Sequence, residues 1–354
     1  MSKQVFSELE ISSIKKETVN SSRIRFVIPK SLTNQFLHKP GQYISIQFEV
    51  KKETYIRTYS ISSETNDKHI EIGVKHIEKG MFSEFLKTKK TGDKIRISKP
   101  EGNFFLTGKN PKKLLLIAAG SGITPMMSIL KSSLKNETET KITLLFSNKT
   151  YADMMFKEDL QDLKDKYIDR LSVNNFFSRE AQSTQFFNGR ITKEKIWFLE
   201  EEKILNLQSI DQTFICGPTE MTKELKACLK KAGASERKIK TELFFVKPTH
   251  ESKIISKNLK TTESKIEIVM DGSRKTFVMK RNEDFIEKAN QFGINIPYSC
   301  KNGMCATCRC KLLTGKAKMK KNYSLEEWEI KKGFLLSCQL VPLDKEVSLD
   351  FDII

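Results

Sequence analysis

Cysteine placement near the C-terminal end constrains this chain more than any other feature. The segment Pro297-Tyr-Ser-Cys300-Lys-Asn-Gly-Met-Cys305-Ala-Thr-Cys308 reads C-x4-C-x2-C, and Cys338 follows after 29 intervening residues. Two irons need four thiolates, and three from one tight loop plus one from a distant element is plant-type [2Fe–2S] ligand spacing. Gly303 and Ala306 keep the loop compact, so that backbone N–H groups can approach the anionic sulfurs. Zinc is the competing reading, but zinc sites usually pair two C-x2-C units and only one is present. Cys310 reads as a buried thiol in a following strand, with a ligand swap as its alternative. The odd total of seven cysteines argues against a fully paired disulfide framework. In a cytosolic chain such clustering points to metal or redox chemistry.

The flanks of the cysteine loop suit a β-grasp domain. Lys265–Met270 and Lys275–Met279 alternate around Asp271-Gly272 and predict a hairpin. Asn282 is the expected cap of a helix over Glu283–Gln291 that ends at Gly293.

Upstream, Lys112–Ala119 is apolar on both faces, as a buried parallel strand requires. Gly120-Ser121-Gly122 follows, then Thr124 as the expected N-cap and Pro125 at the first helical position. Strand, glycine turn and helix N-terminus make a phosphate cradle, although the full G-x-G-x-x-G is absent. Lys141–Phe146 predicts the next strand. Its edge, Ser147-Asn148-Lys149, lacks the acid that NAD sites place near the ribose, and Ser178-Arg179 offers a second phosphate grip; both features favour NADPH over NADH. Thr213–Pro218 reads as a strand and turn, with a helix from about Glu220 to Ala232 closed by Gly233. Cys216 stands at that strand's carboxyl end, where residue type alone fits a structural thiol. Cys228 belongs to the apolar face Met221, Leu225, Leu229, Ala232 of the helix.

The N-terminal stretch reads as short strands at Arg23–Ile28, Tyr43–Glu49, Thr54–Ile61, His69–Lys75 and Asp93–Ser98, with one helix over Met81–Thr88. That pattern predicts a small antiparallel barrel. In Arg57-Thr58-Tyr59-Ser60, alternation puts Arg57 and Tyr59 on one face, which suits a ligand with both phosphate and a planar ring.

Charge invites another reading. The net charge is +18, but of 62 basic residues 11 are Arg and 51 are dispersed Lys. Nucleic-acid recognition leans on Arg geometry and clustering, so the expectation is a solvated surface and no nucleic-acid partner. No stretch approaches the ~20 apolar residues of a membrane span, and no secretory pattern opens the chain. The expected location is the cytoplasm, without a membrane partner.

Together these motifs resemble the ferredoxin–NADP⁺ reductase superfamily, in the branch with a C-terminal ferredoxin domain. The stretches Leu145–Thr150, Asp162–Tyr167, Phe177–Glu180 and Asn188–Ile191 are most similar to reductase subunits of phenylacetyl-CoA epoxidases. The resemblance implies a multi-domain α/β and β architecture. Residues 1–108 would form an antiparallel flavin-binding β-barrel and 109–246 a parallel α/β nicotinamide-binding domain. A linker, 247–262, would lead to the β-grasp ferredoxin domain, 263–354. It further implies that Arg57 holds flavin phosphate, Tyr59 stacks on the isoalloxazine and Ser60 hydrogen-bonds near flavin N5. Val74 joins the flavin-binding residues, and Gly80, Met81, Phe82 and Ser83 match a pyrophosphate turn that favours FAD over FMN. Gly120, Gly122 and Thr124 would line the nicotinamide nucleotide. Lys149, Ser178 and Arg179 would hold its 2′-phosphate, Lys149 standing where many relatives have Arg. Cys216, Gly217 and Pro218 would flank the nicotinamide, which turns Cys216 from structural to functional, and Glu242 falls near the segment that closes over the flavin. The expected cofactors are FAD, a [2Fe–2S] cluster and NADPH. The expected acceptor is a separate metalloenzyme, a di-iron oxygenase component. A general reductase serving another oxygenase or a diffusible carrier, and a non-catalytic metal-binding module, are the competing functions.

Overall fold

The computed structural model describes residues 6–65, 67–107, 111–245, 263–298 and 300–353. They fall into two compact units that divide between 246 and 247. The expected linker, 247–262, lies outside the described residues, as does the expected boundary at 108.

The first unit opens with six antiparallel strands, β1 (Phe6–Thr18), β2 (Ser21–Val27), β3 (Tyr43–Val50), β4 (Glu53–Ser60), β5 (His69–Lys75) and β6 (Lys94–Ser98). Their order is β4-β3-β6-β1-β2-β5. The two outer strands meet through an Ile61–Ile72 bridge, and the Ser62 N–H donates to the Glu71 carbonyl at 2.8 Å, rolling the sheet into a barrel. Alternation drives the closure: Leu9, Ile11, Ile24, Phe26, Ile44, Ile46, Ile70 and Ile72 all point inward and are fully buried. β1 is absent from the sequence reading. Its apolar alternation is confined to Leu9 and Ile11, and a register shift between Ile11 and Ser13 breaks the period. Helix α1 (Met81–Lys87) packs Phe82 and Leu86 into this core.

Next come five parallel strands, β7 (Lys113–Ala119), β8 (Lys141–Asn148), β9 (Leu171–Phe177), β10 (Gln212–Pro218) and β11 (Ile239–Phe245). Their order is β11-β10-β7-β8-β9, so the chain winds one way through β9 and then crosses back to β10. The carboxyl ends of β7 and β10 therefore form the topological switch point, where open α/β sheets bind ligands. Helices α2 (Ile123–Asn136) and α3 (Lys157–Lys166) share one core with the sheet; α4 (Lys193–Glu201) and α5 (Thr219–Lys231) share another. Cys228 is buried on the α5 face, as its spacing predicts. The N-cap assignment needs correction: Gly120–Gly122 forms a 3-10 turn that runs directly into α2, whose cap is Gly122. Thr124 already lies inside the helix, and its hydroxyl donates to the Ser121 carbonyl at 2.7 Å.

The second unit contains β12 (Glu263–Met270), β13 (Ser273–Lys280), α6 (Phe285–Gln291), β14 (Arg309–Thr314), β15 (Ala317–Met319), α7 (Glu327–Lys331), β16 (Phe334–Leu336), β17 (Leu340–Pro342) and β18 (Glu346–Asp350). The main sheet runs β13-β12-β18-β14-β16, with β12 and β18 parallel. Helix α6 buries Phe285, Ile286 and Ala289 in the core this sheet shares, giving a β-grasp. The hairpin turn holds Asp271 and Gly272 at φ +52° and +69°, the left-handed pair that a two-residue turn of this kind requires. Asp284, not Asn282, caps α6; its carboxylate accepts from the Glu287 N–H at 3.0 Å.

Candidate functional site

At the end of β4, the Ser60 hydroxyl donates to the Glu242 carboxylate on β11 at 3.1 Å. The β10–β11 register sets Cys216 opposite Glu242, so residues far apart in sequence meet at the switch point. Protein packed around Glu242 pushes its carboxyl up to about 7, because burial outweighs the stabilising Ser60 bond. The Cys216 thiol is fully buried, and burial, reinforced by Glu242, drives its pKa up, so it is a neutral thiol. Tyr59 packs its ring 4.7 Å from that of Phe82, at the start of α1, and burial keeps its phenol protonated. Arg57 is exposed on the same strand. Ser83 accepts the Ile77 N–H at 2.9 Å, and the Gly80 carbonyl accepts the Glu84 N–H at 2.9 Å, which fixes the turn into α1. Met81 is partly exposed there, while Val74 is buried in the barrel wall.

At Gly122 the turn has no room for a side chain: a Cβ there would come within 2.2 Å of the Cys216 carbonyl oxygen, and across from it one on Gly217 would come within 2.6 Å of Met221 Cε. Gly120 adopts φ +54°. The sequence reading missed Lys75, whose Nζ lies 3.6 Å from where a Gly120 Cβ would be. Burial and nearby Lys149 hold the Lys75 amine below the usual lysine range. As the last residue of an alternating strand, Lys75 carries no local motif; only the crossing of β5 over the turn gives it a role.

Beyond β8 and β9, the Arg179 N–H donates to the Lys149 carbonyl at 2.8 Å and the Ser178 N–H to the Asn148 carbonyl at 3.0 Å. Lys149, Ser178 and Arg179 are thus brought together. Asn148, 6% exposed, has both carboxamide atoms buried and without a hydrogen-bond partner. A cradle closed to Cβ atoms, an orphaned carboxamide and converging cations fit a phosphate-bearing nucleotide.

In the second unit, the expected ligands come as two pairs. Cys300 and Cys305 share a side-chain hydrogen bond, and Cys308 shares one with Cys338. The bond from Cys305 and the amides of Asn302 and Met304, 3.4 and 3.3 Å from its sulfur, hold the Cys300 thiol below the ordinary cysteine range. The Gln339 amide donates to the Cys338 sulfur at 3.6 Å. Four thiols in two hydrogen-bonded pairs, with N–H donors on the Cys300 and Cys338 sulfurs, fit the plant-type [2Fe–2S] ligand set. Gly303 and Ala306 take left-handed φ values of +74° and +53° to turn the loop. Cys310 is wholly buried on β14, away from solvent, and burial raises its thiol pKa.

Comparison with known families matches residues 8–106 to the oxidoreductase FAD-binding domain, 116–227 to the oxidoreductase NAD-binding domain and 268–343 to the 2Fe-2S iron-sulfur cluster binding domain. The chain is 36% identical to one of the subunits of the 1,2-phenylacetyl-CoA epoxidase of Escherichia coli (strain K12), over 98% of each. It belongs to the ferredoxin–NADP⁺ reductase superfamily. This reductase carries the C-terminal [2Fe–2S] domain of one branch of that family and is an oxidoreductase that uses FAD and a nicotinamide. It is also 28% identical to the ferredoxin reductase component of 3-ketosteroid-9-alpha-monooxygenase of Rhodococcus rhodochrous, over 97% of the reductase and 96% of that protein. Its fold matches phthalate dioxygenase reductase with a TM-score of 0.62 at 19% identity, over 98% of each chain. Among the described residues no helix is long and apolar enough to cross a membrane.

Proposed function

We propose that this reductase draws electrons from NADPH and delivers them singly to a di-iron oxygenase component of the phenylacetyl-CoA epoxidase kind. The observation that carries the acceptor is the likeness to the Escherichia coli epoxidase component, which spans 98% of both chains. When bound, FAD supplies the conversion between two-electron and one-electron transfer, and the cluster supplies one-electron storage. Tyr59 offers a flat face to the flavin ring, and the first turn of α1, which Gly80 opens and Met81, Phe82 and Ser83 form, offers amides to its pyrophosphate. Arg57 adds a cation for the flavin phosphate. Glu242, with a pKa near neutrality, holds or releases a proton at its carboxylate, one hydroxyl away from Ser60. Cys216, Gly217 and Pro218 shape the nicotinamide side without supplying charge. Cys300, Cys305, Cys308 and Cys338 hold the cluster.

What supports NADPH is the pair of cations, Lys149 and Arg179, that the ends of β8 and β9 bring together beside Ser178. Of the acids nearest in sequence, Asp153 accepts from the Thr150 hydroxyl at 2.9 Å and Glu180 accepts the Tyr151 N–H at 2.7 Å. Arg179→Ala should raise the KM for NADPH about tenfold or more, the worth of a lost charge-assisted bond, and leave that for NADH nearly unchanged. Equal effects on both would remove the 2′-phosphate assignment. For the acceptor, reconstitution with the oxygenase components of a phenylacetyl-CoA epoxidase should give NADPH-dependent oxygen consumption coupled to epoxide formation. Competent components that stay inactive with the cluster fully reduced would refute the acceptor.

A further inference from the structure

A second chain segment is fastened over the cysteine loop. The Lys320 N–H donates to the Gln339 carbonyl at 2.8 Å, and the Tyr323 N–H donates to the Gly303 carbonyl at 3.0 Å. The Lys321 carbonyl oxygen lies 3.0 Å from where a Gly303 Cβ would stand. From below, the Gln339 amide donates to the Lys301 carbonyl at 2.8 Å, tying the segment's anchor to the loop between Cys300 and Cys305. The segment reads Lys316-Ala-Lys-Met-Lys-Lys and contains no acid. Ala317 and Met319 pack against the core, which leaves Lys316 and Lys318 exposed and Lys320 and Lys321 half-buried at the rim.

Lys320 and Lys321 differ from the rest of the dispersed basic surface in position: the backbone hydrogen bonds of Lys320 and Tyr323 fix them beside the cluster loop. Glu287 pairs with Lys301 at 3.4 Å, Glu329 pairs with Arg309 at 3.1 Å, and Glu326 closes the capping box of α7. No ion pair involves Lys316, Lys318, Lys320 or Lys321 among the described residues. Solvated, unpaired charge of one sign steers encounter without locking a complex, which suits a partner that must arrive, take one electron and leave.

We infer that this lysine collar is the docking face for the electron acceptor, and that the acceptor meets it with an acidic protein surface. The inference rests on the proposed electron-transfer function. Its test uses the holoprotein and two one-electron protein probes of opposite surface charge: plastocyanin, acidic, and cytochrome c, basic. One electron leaves the NADPH-reduced cluster and converts Cu(II) to Cu(I), or haem Fe(III) to Fe(II). At low salt plastocyanin should be reduced about tenfold or more faster than cytochrome c, with the advantage vanishing at high salt. The double variant Lys320→Glu/Lys321→Glu should reverse that preference. Lys141→Glu/Lys164→Glu, which changes net charge equally but lies on the first unit, should preserve it. Retention on immobilised plastocyanin, which needs no electron flow, should follow the same ranking. Indistinguishable double variants would overturn the inference. So would a collar variant whose NADPH-driven cluster reduction slows in step with acceptor reduction, because the collar would then serve the chain's own flavin domain. Absence of cluster reduction in the unaltered protein would instead strike the proposed function, and retention would still read the docking face.

Discussion

Glu242 shows how far a single residue's chemistry depends on its surroundings. In sequence it is an acid among Thr241, Leu243 and Phe244, and only the family resemblance marks it. In the folded chain it accepts from Ser60 and carries a carboxyl raised from 4.5 to about 7. A carboxyl with a raised folded-state pKa keeps its proton longer in the native state than in the unfolded one. Its contribution to stability is therefore complete below about 4.5 and lost as pH rises through about 7. Chemical denaturation of the holoprotein should show this loss, at most about 3 kcal/mol, and Glu242→Gln should flatten it. An unchanged pH profile in the variant would mean that Glu242 is ionised throughout. Lys75 and Asn148 make the complementary point. Asn148 is set apart by burial and Lys75 by the crossing of β5 over the glycine turn, neither of which a spacing rule encodes.

Elements were legible where periodicity was strong. His69–Lys75 coincides with β5, and the Asp271-Gly272 hairpin and the glycine turn after β7 stand where the residues placed them. β1 escaped because its apolar period is short and bulged, and the caps of α2 and α6 moved because a 3-10 turn and a nearer carboxylate competed. What joins elements was not legible at all. Arg23 on β2 binds Glu17 at 2.7 Å and Asp159, on α3, at 2.6 Å, while Lys131 on α2 binds Asp159 at 2.8 Å. Burial would push Asp159 up, but Lys131 and Arg23 outweigh it and hold the carboxyl below its usual range. The Glu17 carboxylate also accepts the N–H of Phe156, which opens α3 at φ +58°. This clasp ties the barrel to the parallel sheet. Arg23→Ala leaves two carboxylates poorly matched and should destabilise the first unit by about 3 kcal/mol. Loss of the exposed Lys15–Glu158 pair should cost about 0.5 kcal/mol or less. Urea midpoints for Arg23→Ala and Lys15→Ala compare the two, and equal shifts would deny the clasp its role.

At the scale of the whole molecule, the division of labour was readable because each domain announces its chemistry with a different residue type. Glycines announced the NAD-binding domain, cysteines the [2Fe–2S] domain and an Arg-x-Tyr-Ser strand the FAD-binding domain. The acceptor was least readable, since the lysine collar proposed to meet it is assembled from backbone contacts around the cysteine loop. The claim on which the remainder depends is that one chain holds a flavin and a two-iron cluster and passes electrons between them. The direct measurement is a visible and electron paramagnetic resonance titration of the purified, matured protein with NADPH, with flavin, iron and sulfide quantified. The expected result is one FAD, two irons and two sulfides per chain, loss of flavin absorbance, and a rhombic signal from a reduced [2Fe–2S] centre. A colourless, zinc-loaded protein, or a bleached flavin beside a cluster that stays oxidised, would contradict it.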